Sequence, residues 1–417
     1  MIQAILESDL CIGCGACYAV CPFEAIDWSV ENLPKIILGR CKSCDMCLKV
    51  CPSYKLCEDL KRADVYGSSW LGPYLNIYLG HSTNDEIRYA ASSGGIATQL
   101  LIYALRKGLI DGAALTYFAE KDPFRLVAKL AFSEEEIIKA MGSKYSISPV
   151  CTTIRDMLNH EGRFVFVGLP CHLLALNKIM RGNEIIAEKI KFCIGLFCGH
   201  TMYPLGTEFI LRKEGIFKEH VKALKYRGDG WPGGITVELR DGTKKFLPYD
   251  YWVQRYFSTY FFTPLRCLVC NDATSELSDI SLGDAWLPQV KRTEKLGVSI
   301  VISRTERGER LLLSAHRDGY INLKKLHPKY AVQSQMSALT FKKKHLISRM
   351  KLTSVLVIKN ANLLGFNINQ SQSISGYVGA LLLFSNYFLC KRAPSLIFGI
   401  PRSLLRVYSE VLNFLHR

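Results

Sequence analysis

Eight cysteines in the first 51 residues fall into two quartets of one spacing: Cys11, Cys14, Cys17 and Cys21 before Pro22, then Cys41, Cys44, Cys47 and Cys51 before Pro52. Each reads C-x2-C-x2-C-x3-C-P, in which three thiolates wrap one 4Fe-4S cube and the fourth crosses to the other. The spacing therefore assigns Cys11, Cys14, Cys17 and Cys51 to one cluster, and Cys41, Cys44, Cys47 and Cys21 to its neighbour. The chemistry is one-electron transfer. Gly13 and Gly15 free the backbone to curl and point N–H groups at sulfur. A pair of zinc sites is the rival reading, but zinc gives no reason for a repeated proline-terminated quartet. A disulfide framework fits less well still.

The elements holding these residues belong to a chain of 417 residues, 49% hydrophobic, which suffices for more than one core and excludes a disordered or fibrous protein. The start, MIQAILESDLC, has neither a basic nor an apolar leader pattern. With 16 cysteines, a reducing cytoplasmic location is expected. The net charge of +16 is unevenly placed: residues 341–417 carry 11 Lys and Arg against Glu410 alone, a net of +10. The basicity is a property of the tail, which lacks a recognisable nucleic-acid-binding fold, so no nucleic-acid partner is expected.

An α+β chain is predicted. Residues 1–60 form a two-cluster ferredoxin-like domain, with Cys57 left over as a non-ligand, and a turn-rich connector runs over Tyr66–Pro73. Beyond it, strands and helices alternate in an α/β pattern: strands at Leu75–Gly80, Asp111–Phe118, Phe164–Val167, Ile190–Ile194, Ser278–Leu282 and Ser299–Ser303, and helices at Gly95–Arg106, His172–Met180 and around Glu306–Ala315. Ser133 and Glu136 form a capping box for a helix through Met141. Such alternation places functional groups at strand ends.

Four further segments have chemical character: Ser92-Ser93-Gly94-Gly95, Gly142-Ser143-Lys144-Tyr145, Gly168-Leu169-Pro170-Cys171, and Cys267-Leu268-Val269-Cys270 leading to Asp279 and Asp284. With the two quartets, their order and spacing over residues 1–335 resemble the beta-subunit family of the coenzyme F420 (deazaflavin) hydrogenases and dehydrogenases. The resemblance implies a flavin domain in two halves, 61–160 and 161–335, carrying FAD that iron-sulfur clusters feed or drain. Members occur among reductases of a chlorophyll intermediate and among polysaccharide-synthesis proteins, so the family leaves the substrate open.

Within that frame, Ser92, Ser93, Gly94 and Gly95 stand before a predicted helix whose free N–H groups and dipole suit a pyrophosphate, against the plainer reading of a Ser N-cap and tight turn. Lys144 could balance phosphate or sit near the flavin ring, with Tyr145 in support. Cys171 and Cys198 lie past two strands that reach one sheet edge, and with the Cys267/Cys270 pair they make up a third 4Fe-4S site. A structural zinc site and a dithiol pair at Cys267 and Cys270 are the alternatives, and Cys193 is the competing thiol, more simply read as packed. His172 reads as a proton donor or a helix-start residue, Arg227 as an anion contact in a loop over the flavin or part of a hairpin connection, and Asp279 and Asp284 as general acids or turn residues.

The tail, 336–417, is predicted helical. No charge occurs from Asn360 to Cys390, and Ile374–Cys390 is largely apolar yet short for a membrane span. Leu404, Leu405, Val407, Tyr408, Val411, Leu412 and Leu415 share one helical side, which points to peripheral membrane contact at the inner face or to packing on the body or a partner. The whole reads as an iron-sulfur flavoprotein oxidoreductase. It would take electrons from a ferredoxin-like or deazaflavin carrier and pass them through 4Fe-4S clusters and FAD to an organic substrate, by analogy a lipid-linked glycan precursor. The alternative is an electron-transfer beta subunit of a larger complex.

Overall fold

The computed structural model describes residues 2–29, 32–55, 70–356 and 374–415. Cys57, the first part of the expected connector, and the stretch from Asn360 to residue 373 lie outside them.

Both quartets sit on loops that open one-turn helices, Ala16–Val20 and Met46–Lys49, flanking an antiparallel pair, β1 (Ile26–Trp28) and β2 (Pro34–Ile36). The two halves repeat one backbone: φ is positive at Gly13 and Gly15 and again at Ser43 and Asp45. Glycine is required only in the first half. A Cβ on Gly13 would lie 2.3 Å from the Asn32 carbonyl, and one on Gly15 would lie 2.9 Å from the Pro149 carbonyl. Ser43 and Asp45 face solvent, so there the left-handed conformation costs backbone strain alone.

The body is built on one mixed sheet of eight strands: β3 (Asn76–Ser82), β4 (Gly112–Ala119), β5 (Asp122–Ala131), β6 (Phe164–Gly168), β7 (Ile190–Leu196), and then, after β8 (Val221–Lys225), β9 (Gly234–Leu239) and β10 (Lys244–Pro248), which form a separate antiparallel sheet, β11 (Ile280–Asp284), β12 (Ser299–Ser303) and β13 (Ile321–Lys325). The order is β13-β3-β12-β11-β7-β6-β4-β5, parallel from β11 through β4 and antiparallel toward both edges. Helices Ile96–Arg106 and Glu306–Arg317 cover one face through Leu100, Leu101, Leu311 and Leu312. The other face packs helix Pro170–Met180 and, beside it, Ile12, Ala16 and Ala19 of the ferredoxin-like unit. The expected Ser133 capping box is present, with Ser133 Oγ accepting from Glu136 N at 3.2 Å and Glu136 Oε2 from Ser133 N at 3.2 Å.

Polar contacts fasten the first unit to that face. Lys178 Nζ donates to the Cys51 and Tyr54 carbonyls at 3.0 Å each, Arg155 to the Cys21 carbonyl at 2.7 Å, and Cys151 N to the Cys14 carbonyl at 2.9 Å.

The tail closes the opposite side. Helix Pro328–Leu339 runs through a π-turn, Thr340–Lys344, into Leu346–Leu356; later helices are Ile374–Arg392, Pro394–Gly399 and Arg402–Leu415. Phe341, Met350, Leu383, Phe384 and Leu412 share a core with Ile2, Ile5 and Leu10 of the ferredoxin-like unit and with Leu265 and Leu268. Part of the apolar side of the last helix thus packs on the body. Leu405 and Leu412 are buried, each at about 1.5–3 kcal/mol of apolar burial, while Leu404, Val407 and Val411 stay exposed. The cysteine-bearing loops are too short to build their own core, so the tail's apolar side is drawn onto them. Lys391 and the Tyr387 hydroxyl both reach Asp9. Among the described residues no helix is long and apolar enough to cross a membrane.

Candidate redox site

Three cavities, of about 400, 300 and 420 Å3 with their mouths included, are each lined by four cysteines. Cys21, Cys41, Cys44 and Cys47 line the first; Cys11, Cys14, Cys17 and Cys51 line the second, the crossed grouping expected from spacing. Cys171, Cys198, Cys267 and Cys270 line the third. Cys193 does not: it is packed in the sheet, where Asp279 and Arg307 are its charged neighbours and burial pushes its thiol up to about 12. Neighbouring cavities share walls, Ile2 between the first two and Ile12 between the second and third. The first site is the most open, with Cys44 exposed; the middle site is the most buried, through Cys14, Cys17 and Cys51, and in the third only Cys270 is fully buried.

The third cavity carries two cations that sequence reasoning missed. Arg266 is 2% exposed; its Nε and Nη2 donate to the Pro52 carbonyl at 3.3 Å each, and its Nη1 has no hydrogen-bond partner. Lys342, also 2% exposed, donates from Nζ to Cys270 Sγ at 3.2 Å and to the Asp272 carbonyl at 2.9 Å. Thr201 Oγ1 is likewise buried without a partner. Unsatisfied buried donors are rare, and donors lining a thiol cavity suit sulfide or thiolate acceptors. Burial pushes the Cys198 thiol up to about 12. Cys270 falls below its ordinary value, because Lys342 and Arg266 outweigh the same effect of burial. The donor set fits a four-iron cluster. Arg266 directly precedes Cys267 and could have been noticed; Lys342 lies in a Lys-Lys-Lys run that reads as a solvated face.

Ser92 and Tyr145 come together around Arg227 and Asp284. Ser92 Oγ accepts from Ser143 N at 2.7 Å, and the Ser92 carbonyl accepts from Arg227 Nη2 at 2.5 Å. Arg227 is fully buried, donates to Asp284 at 2.9 Å and to the Tyr145 hydroxyl at 3.1 Å, and stacks on Tyr249. Its expected part as an anion contact is therefore taken internally by Asp284, which also accepts from Trp231 Nε1 at 2.7 Å. Asp279 is similarly consumed, by Arg307, Thr305 and the Cys193 amide. Ser93 and Gly94 are occupied too, donating to the Val298 carbonyl at 2.9 Å and to Ser299 Oγ at 3.0 Å. Gly95, at φ 73, opens the helix without a side-chain cap. Lys144 keeps some solvent contact, yet burial lowers its ammonium pKa to about 7, and its Nζ donates to the Gly142 carbonyl at 2.9 Å. His172 takes the helix-start reading: its Nδ1 accepts from Leu169 N at 3.2 Å, and burial lowers it to about 4. A histidine not foreseen, His200, is sandwiched between Phe257 and Tyr260 at 3.8 and 4.3 Å, two residues from Cys198 toward Tyr145.

A ferredoxin-like unit set against a thiol-lined cavity in a mixed α/β body defines an iron-sulfur electron-transfer protein of the oxidoreductase class. Residues 4–58 match a 4Fe-4S dicluster domain, 77–155 the N-terminal and 161–329 the C-terminal region of the coenzyme F420 hydrogenase/dehydrogenase beta subunit. The chain belongs to that beta-subunit family. It is 29% identical over 260 residues to the coenzyme F420 hydrogenase subunit beta of Methanothermobacter thermautotrophicus, covering 61% of this chain and 85% of that one. To the coenzyme F420 hydrogenase subunit beta of Methanosarcina barkeri it is likewise 29% identical over 260 residues, covering 61% and 83%. With the coenzyme F420-dependent sulfite reductase of Methanocaldococcus jannaschii it shares 26% over 347 residues, spanning 78% of this chain but about half (49%) of that protein. A chain of the F420-reducing [NiFe] hydrogenase complex from Methanosarcina barkeri has the same fold, with a TM-score of 0.55 at 24% identity over 69% of this chain and 96% of that one. These descriptions support the electron-transfer subunit better than a self-contained enzyme. None names FAD, a glycan or a membrane.

Proposed function

We propose that this chain is the electron-transfer beta subunit of a larger, deazaflavin-linked oxidoreductase complex. The carrying observation is the series of three four-thiol cavities with shared walls, running from the exposed Cys44 through the middle site to the Cys171, Cys198, Cys267 and Cys270 site in the α/β body. Read this way, Cys21, Cys41, Cys44 and Cys47 hold the outer cluster, Cys11, Cys14, Cys17 and Cys51 the middle one, and Cys171, Cys198, Cys267 and Cys270 the inner one. Arg40, Lys42 and Lys49 are exposed about the outer site with Phe23, Leu38 and Met46, against Glu24 and Asp45, a balance that suits an acidic one-electron carrier such as a ferredoxin. FAD is the finer part of the proposal, with Gly95, Lys144 and Tyr145 as its protein neighbours; when bound it supplies the exchange between single electrons and a hydride. The chain's own residues hold the thiolates and, by burial, lower the pKa of Lys144 to about 7. Phe414, 75% exposed with Leu404, Val407 and Val411, offers an apolar stripe to a partner subunit.

Anaerobic purification with iron, sulfide and flavin assays tests this reading. About twelve irons and one FAD are expected, with reduction by a ferredoxin or reduced deazaflavin that slows in high salt for the protein carrier. Eight irons would remove the inner cluster, and absence of flavin would remove FAD. Co-sedimentation with anionic liposomes would return the stripe to a lipid role.

A further inference from the structure

Lys342 lies beyond residue 329, where the match to the beta-subunit family ends, yet it reaches the innermost thiol site. Among the described residues no carboxylate pairs with its ammonium, whose acceptors are Cys270 Sγ at 3.2 Å and the Asp272 carbonyl at 2.9 Å. A buried ammonium without an anion is costly, so its place against the thiol site points to anionic sulfur beside it. The π-turn that presents it is held from three sides. Arg349, itself buried, donates to the Phe341 and Leu268 carbonyls; Lys343 pairs with Glu276 at 2.6 Å; and Phe341 stacks on Tyr260 at 4.9 Å. Single-turn π segments inside helices recur at functional sites, because the extra residue re-aims neighbouring side chains.

We propose that Lys342 is a positioning residue of the inner cluster: the C-terminal segment delivers its charge to Cys270, which raises the reduction potential of that site. This rests on the reading of Cys171, Cys198, Cys267 and Cys270 as a third cluster. A cluster held by these four thiolates would gain one negative charge on reduction, taken up by its iron-sulfur core from the middle cluster; no bond would break and no proton move, so the opposing cost is electrostatic. An ammonium 3.2 Å from one sulfur offsets part of it and favours reduction. A brace that merely held the 270–276 loop would not change the potential.

The test uses full-length protein purified without oxygen, with K342M, which keeps length and apolar stem, and K342R, which keeps charge. Iron content comes first: eight irons in the wild type would overturn the third-cluster reading itself, before any variant is made. With about twelve, redox titration followed by electron paramagnetic resonance should show K342M shifted toward the oxidised form at the inner site by at least tenfold, about 59 mV for one electron, with the other two clusters unmoved. K342R should restore the wild-type value. An unchanged potential in K342M overturns the proposal. If K342M loses four irons, K342R with full iron and the wild-type potential supports it, and K342R failing alike overturns it in favour of a shape requirement.

Discussion

Arg266 donates through both Nε and Nη2 to the carbonyl of Pro52, the residue that ends the second cysteine quartet. The contact ties the loop of the middle site to the short helix Leu265–Leu268 that carries Cys267, so one guanidinium bridges two redox sites. R266Q should lower the unfolding free energy by about 1.5–3 kcal/mol, the usual worth of a charged buried hydrogen bond, read from denaturant midpoints. It should also slow electron passage from the N-terminal clusters to the inner one in rapid-mixing spectroscopy; unchanged kinetics would reduce Arg266 to a structural tie.

The crossed grouping predicts paired phenotypes. C11A and C51A should damage one cluster and C21A the other, as resolved by cluster spectroscopy, while C267S should remove about four irons and leave the ferredoxin-like unit loaded. C193S should keep all of the iron, since its thiol lies outside the third cavity.

Gly15 and Gly108 separate conformation from space. Both have positive φ, but a Cβ on Gly15 would meet Thr152 Cγ2 at 2.6 Å, whereas Gly108 faces open space. G108A should cost about 1 kcal/mol and G15A distinctly more, with loss of iron from the middle cluster, in thermal unfolding and iron assays of the two variants.

Lys144 sets a pH dependence. Burial holds its pKa in the fold at about 7, against 10.5 for the free side chain, so between those values the unfolded chain binds more protons than the folded one. Its share of stability therefore rises as pH goes from 7 toward 10.5 and is lost below about 7. K144M should flatten that slope between pH 7.5 and 9.5 in denaturant titrations. Flavin binding at pH 8 should take up a proton if the ammonium meets an anionic part of FAD, measurable by calorimetry in buffers of different ionisation enthalpy.

The tail predicts a dependence of the clusters on distant helices. D9A removes the acceptor shared by Tyr387 and Lys391 and should loosen helix Ile374–Arg392, seen as faster amide exchange there and over Ile2–Leu10.

The sequence by itself determined the parts with local rules. Cysteine spacing is a property of consecutive residues, and the alternation of strand and helix placed Phe164–Gly168, Ile190–Leu196 and Ser299–Ser303 within two residues of their ends. It missed β5, β8, β10 and β13, which are edge strands with mixed hydrophobic patterns. Tertiary structure alone decided which charges were spent internally and which faced the thiols. Arg227, Asp279 and Asp284 had the residue types of a reactive site but were neutralised by partners as far as 57 positions away. Lys342, in a run that looked solvated, was carried by the tail to Cys270, 72 positions back. Burial and pairing between distant residues set the worth of a charge, and neither is encoded in local spacing.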